Sequence, residues 1–312
     1  MEKNMRYSGI GGQAVMEGVM MKNGNKYAVA VRNPDKEIVI ESSEYGGISK
    51  NKKLKNMPVF RGVFNFIESL SLGFKTLTYS ASVLEEEDTE EKKDPKSKKK
   101  DDLVMGITVT ASVVLAIAIF MALPYGISLL FRKAVSSQWV LALLEGALRL
   151  LIFLCYVGGI SLMPDIKRVY MYHGAEHKCI NCIESGRELT VENVRESSRL
   201  HKRCGTSFLL IVMFVSILFF MFIRVDSGIL RLALRLLLIP VIAGVSYEFI
   251  RLAGRSDHFL VNLISKPGLM LQKITTREPE DDMIEVGIAS VEAVFDWKAY
   301  IKEINDSALE GR

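Results

Sequence analysis

Cysteine and histidine are scarce in this chain, four of each among 312 residues. So few cysteines exclude a dense disulfide scaffold. The opening residues, MEKNMRYSGIGG, lack the apolar run of a secretory signal, so the amino end is expected on the side where the chain is made. A formal net charge of only +4 gives no ground for invoking nucleic acid. No internal repeat is evident, which argues against a transporter built from duplicated halves in one copy, although an oligomer could enclose a path.

Charge is what four stretches lack most. Residues 103–131 run 29 positions without a charged side chain, and 139–163, 207–223 and 229–250 are nearly as apolar. A hydrocarbon layer of about 30 Å takes roughly 20 helical residues, so these four segments are expected to span a membrane, with 207–223 the shortest. Four crossings return the chain to its starting side. The connection 164–206 carries Lys167, Arg168, Lys178, Arg187, Arg195, Arg199, Lys202 and Arg203, whereas the opposite loops hold little beyond Arg132, Lys133 and Arg224. That asymmetry places 164–206 and both chain ends on the cytoplasmic side, and the loop's cysteines in a reducing compartment.

The expected fold class is therefore mainly α, a polytopic four-helix transmembrane bundle with amphipathic helices and a small cytoplasmic N-terminal β-hairpin cap. The cap occupies 1–59, where YAVAVR and EIVIESSEY alternate around the turn NPDK. Residues 60–84 have apolar positions at helical spacing and read as an interfacial helix. In 85–102, fifteen of eighteen residues are charged, the signature of a disordered linker. Lys96 to Lys100 within it either touch anionic lipid headgroups or simply fix orientation. Residues 251–312 form cytoplasmic amphipathic helices, broken at Pro279, with Asp281 or Asp282 opening the last.

Charges inside the spans need partners. Glu145 and Arg149 are four apart and share a helix face. Arg231 and Arg235 are expected to snorkel towards headgroups. Glu248 is either functional or paired with Arg251 or Arg255.

Half of each scarce residue type sits in YMYHGAEHKCINC. On a helix, His173 and His177 share one face and Glu176 lies beside them, the H-x-x-E-H order of a zinc site with a carboxylate base. Gly174 weakens such a helix. Beyond a short helix near Thr190, LHKRCGTSF brings His201 and Cys204. A rival grouping exists: Cys179-x-x-Cys182 with His201-x-x-Cys204 has the spacing of a structural zinc ribbon. Cys155 is read as core packing and His258 as an interfacial side chain.

GGQAVMEGVMM, YHGAEHKCI, HKRCGTSF and TTREPEDDMIEVGI resemble the YqhQ-like family of bacterial membrane proteins across nearly the whole chain. That family is uncharacterised and described as predicted metal-dependent enzymes. The resemblance implies a pattern on Glu17, His173, Glu176, His177, His201, Arg203, Cys204 and Gly205, without Cys179 or Cys182. Lys202 departs from it where the family usually has proline. The resulting expectation is a divalent metal, zinc, on His173, His177 and Cys204, with His201 as fourth ligand or behind them. Glu176 is the expected base, Arg203 an oxyanion stabiliser, and Glu17 and Glu248 further candidates. A lipid-associated or membrane-protein substrate would be hydrolysed. The alternative is a scaffold whose metal staples the loop.

Overall fold

The structure is a computed structural model describing residues 7–47, 57–85, 95–223, 225, 227–254 and 258–310, with the side chains of 95–102 and 307–310 outside that description. The amino-terminal part is larger than the expected hairpin. Strands β1 (Ile10–Val15), β2 (Gly18–Asn23), β3 (Lys26–Arg32) and β4 (Ile38–Glu44) form an antiparallel meander in sequence order. Two-residue turns join β1 to β2 and β2 to β3. Glu17 (φ 49°) occupies the first turn and Gly24 (φ 59°) the second, the positive φ that tight hairpins demand.

Helix α1 (Phe60–Glu85) covers one face of the sheet, where Val15, Met20, Tyr27, Val29 and Val31 meet Leu72 and Val83. The other face, with Val19, Met21, Ala28 and Ala30, packs on two helices from the second half of the chain, α5 (Pro164–Glu184) and α10 (Asp281–Glu292). Burial on both faces explains why GVMM escapes the alternation template: a doubly covered strand reads as a continuous apolar run.

The first apolar segment is helical from Pro95, inside the expected linker. The linker's 86–94, and the side chains of Lys96 to Lys100, lie outside the described residues. Helix α2 (Pro95–Ile117) passes through a π-helical turn at Ala118–Ala122 into α3 (Leu123–Leu130). The turn has a cause. Pro124 has no N–H to offer the carbonyl of Phe120, and Arg149 donates to that oxygen instead (3.0 Å). Helix α4 (Gln138–Ile160) and α8 (Gly228–Ala253) complete a set of three helices long and apolar enough to cross a membrane. The fourth expected span, α7 (Gly205–Met221), has only 17 residues, about 25 Å at 1.5 Å each, and falls short of that set.

The expected loop 164–206 is largely helix: α5 runs 21 residues and is buried from Gly174 to Glu184, followed by the short α6 (Val191–Glu196). Beyond α8, α9 (Phe259–Thr275) leads to the break at Pro279, then to α10, which opens at Asp281 as expected, and α11 (Trp297–Glu310). Helix α1 also reaches α8, where Gly62 lies against Gly244 so closely that a Cβ would stand 2.8 Å from that residue's carbonyl.

Candidate metal centre

Three segments meet on α5. Its buried donors hold the chain that follows α6. Lys178 donates to the carbonyls of Arg195 (2.7 Å) and Ser197 (2.9 Å), and Asn181 to those of Ser198 (2.6 Å) and Leu200 (3.1 Å). Each bond contributes about 1 kcal/mol net, and an orphaned buried donor would cost more. This fixes residues 195–201 along α5 and carries Cys204 to the amino end of α7, where its sulfur caps the Thr206 N–H at 3.4 Å.

The third segment follows α9. Gly174 answers for its place in a helix here. A Cβ on it would lie 1.9 Å from the Arg277 carbonyl oxygen, and the Arg277 N–H donates to the Tyr170 carbonyl at 2.8 Å. The absence of a side chain lets residues 275–279 lie directly on α5. Gln272 adds a clamp, accepting from the His201 N–H (2.8 Å) and donating to its carbonyl (2.7 Å).

His173, His177 and Cys204 come together in consequence: their ligand atoms all lie within 4.8 Å of one another, the grouping of three or more such residues found among those described. His173 Nε2 is 3.2 Å from the Cys204 sulfur. Each histidine has its Nδ1 against a backbone carbonyl, Thr275 at 2.9 Å for His173 and Arg199 at 2.6 Å for His177. Donation from Nδ1 leaves Nε2 with its lone pair facing the cluster, the outer arrangement typical of metal-binding imidazoles. His177 Nε2 is buried and has no hydrogen-bond partner. A tetrahedral ion with bonds of about 2.0–2.3 Å spaces its ligands by roughly 3.5 Å, so the trio fits one after slight contraction, and two imidazoles with a thiolate suit zinc.

Glu176 stands beside this group. Its Oε2 is 3.9 Å from His173 Nε2. Strand β1 lies on it, because a Cβ at Gly12 would come 3.1 Å from its side chain, and the Gly12 backbone hydrogen-bonds the carboxylate. Burial pushes its pKa up to about 7, opposed by the neighbouring His173 ring and that backbone bond.

The other predicted residues have different partners. His201 Nε2 is 3.7 Å from Glu184, and its ring centroid is 5.6 Å from that of His177, outside the trio. Burial brings its pKa down to about 4, opposed by Glu184. Glu184 itself is pushed up by burial but carried down to about 2 by His201 and Arg203. Arg203 donates to Glu184 and lies 4.4 Å over the Tyr7 ring, while Ser8 binds the same carboxylate through N–H (2.9 Å) and hydroxyl (2.7 Å). Glu17 pairs with Arg168, and Glu248 pairs with Arg61 of α1, a partner not expected for it, while Arg255 lies outside the described residues. The ribbon grouping is not assembled: Cys179 packs on Gly287 of α10, and the Cys182 sulfur faces the Glu188 carbonyl at 3.4 Å.

Lys178, Asn181, Glu184, Gln272 and Thr275 escape a search by residue type, because amides, hydroxyls and a lone lysine carry no spacing signature. A lysine and an asparagine in the i, i+3 relation on the histidine helix were the available signal.

No solved structure matches the chain. The protein YqhQ of Bacillus subtilis (strain 168), itself uncharacterised, is 36% identical over 286 residues, covering 90% of each chain. A family model described as a protein of unknown function, DUF1385, matches residues 57–297. On both counts the chain belongs to the DUF1385 family.

Proposed function

We propose that this chain is a bacterial inner-membrane hydrolase that holds a divalent cation, zinc by its donor set, on His173, His177 and Cys204 at the cytoplasmic face. The observation that carries the reading is one ligand atom from each of two imidazoles and the thiol within 4.8 Å of one another, each imidazole oriented by a carbonyl. A cation there would supply Lewis acidity and a more acidic water. Glu176, outside the trio with its Oε2 3.9 Å from His173 Nε2, accepts the proton from the attacking water. Arg203 acts through Glu184, keeping His201 and the turn before α7 in place.

The substrate is an amide, ester or phosphoester in a lipid-associated or membrane-embedded molecule, a reading supported by the position of Cys204 at the head of an apolar helix. Orientation is supported by the eight basic residues of 164–206. A second reading, a scaffold with a structural ion, draws on burial: His177 is 1% and Cys204 5% exposed.

Glu176→Gln separates the two. The hydrolase reading expects the variant to keep its metal and lose about 10²–10⁴-fold in turnover, and to fail in rescuing a deletion strain. Full rescue by a metal-loaded Glu176→Gln protein would rule the hydrolase out and leave the staple, for which chelation should lower thermal stability.

A further inference from the structure

Helix α9 has two unlike faces. Ser265, Gly268, Leu271, Gln272 and Thr275 are buried. Gly268 meets Ser207 so closely that a Cβ would stand 2.6 Å from its hydroxyl, and Leu271 packs with Leu210 of α7 and Val157 of α4. The other face carries Phe259, Leu260, Leu263, Ile264, Met270 and Ile274, each 39% to 70% exposed. These positions recur at helical spacing, so they form one apolar stripe along the helix. Lys266 and Lys273 are exposed on one flank of that stripe, and α9 contains no carboxylate. Arg235 behaves differently: instead of snorkelling it binds Glu145 and is 4% exposed.

The path of the chain sets the lie of α9. Helix α8 hands over at Gly254, where a Cβ would stand 2.5 Å from the Arg203 side chain. By Gln272 the chain is back at His201, bonded to both its N–H and its carbonyl. Phe259 is five positions beyond Gly254, a reach of at most about 17 Å, well short of a hydrocarbon layer of about 30 Å. Helix α9 therefore starts and ends on the side where α7 begins, and lies along that side rather than across the layer. It also packs on α8, a helix long and apolar enough to cross a membrane, whose last turns expose Phe249 and Leu252. An apolar stripe flanked by cations and set beside such a helix fits the surface of a bilayer.

We propose that α9 lies in the leaflet on the side where α7 begins, its apolar stripe among the acyl chains and Lys266 and Lys273 against the phosphates of anionic lipids. Because α9 carries Gln272 and Thr275, the bilayer then braces the segments that hold His201 and orient His173. The contact is independent of whether the centre holds a metal.

The test places a single tryptophan on the stripe, by Leu263→Trp with Trp139→Phe and Trp297→Phe, or by Ile264→Trp in the same background. The full-length protein is reconstituted in phosphatidylcholine vesicles with a minor fraction of phosphatidylglycerol or phosphatidylcholine brominated on the acyl chains. Both lipids should quench the new tryptophan. Brominated phosphatidylglycerol should act like about five times as much brominated phosphatidylcholine, the enrichment expected of one lysine at an anionic surface. Lys266→Gln with Lys273→Gln should abolish that difference and leave quenching by phosphatidylcholine in place. Native Trp297, which packs against the cluster around α5 and α10, is the reference when Trp139→Phe alone is made, and should be spared by both lipids. Quenching on the stripe no greater than at Trp297 overturns the proposal, whether the stripe is then solvated or, as cross-linking into dimers would show, covered by a second copy. Equal quenching by the two lipids overturns it as well.

Discussion

Glu145→Gln is expected to destabilise the protein by about 3–5 kcal/mol, the cost of stranding buried guanidinium groups whose partner has been removed. The two side chains are nearly equal in volume, so the loss comes from charge rather than packing. Arg149 and Arg235 both rely on this carboxylate, and the side chains of all three are at most 7% exposed. Glu248→Gln provides the contrast. Its ion pair with Arg61 is about a quarter exposed, where solvent screens the charges, so its loss should shift the midpoint far less. Denaturant titration of both variants in mixed micelles measures the difference. Equal midpoints would mean that the carboxylate inside the bundle bears no special load.

Gly174→Ala should cost about 3 kcal/mol and also lower metal content. The new methyl meets the Arg277 carbonyl, a backbone atom that cannot rotate away, so residues 275–279 must lift from α5. Lifting breaks the Arg277–Tyr170 hydrogen bond and withdraws the Thr275 carbonyl that orients His173. Gly158→Ala in α4 is the matched control, since nothing lies within 4 Å of its Cβ position, and the substitution should be neutral or slightly stabilising through helix propensity. Thermal unfolding and metal analysis of the two variants together check this. A Gly174→Ala protein as stable as Gly158→Ala would refute the close-approach account.

Much of the candidate centre was legible because its chemistry is local. His173 and His177 share a helix face whatever surrounds them, and scarcity made the second cluster with Cys204 conspicuous. The apolar runs likewise gave the positions of α4 and α8 within a few residues. What escaped depends on contacts distant in sequence. Gly174 weakens a helix by local propensity, and its role appears only when Arg277 arrives from about a hundred positions later. Glu248 has Arg251 close by in sequence, yet pairs with an arginine 187 residues earlier. Alternation marks only two of the four strands, since β2 is covered on both faces and carries a continuous apolar run. His201 and Cys204 look equivalent by type, yet Glu184 takes the histidine while the cysteine turns inward with the start of α7.

The central claim is that His173, His177 and Cys204 hold one ion. Elemental analysis of the protein purified without chelators, wild type beside His177→Ala, tests it most directly. The account predicts an equimolar divalent metal in wild type that disappears with the imidazole. A wild-type protein free of metal, or a His177→Ala variant that retains it in full, would contradict the account.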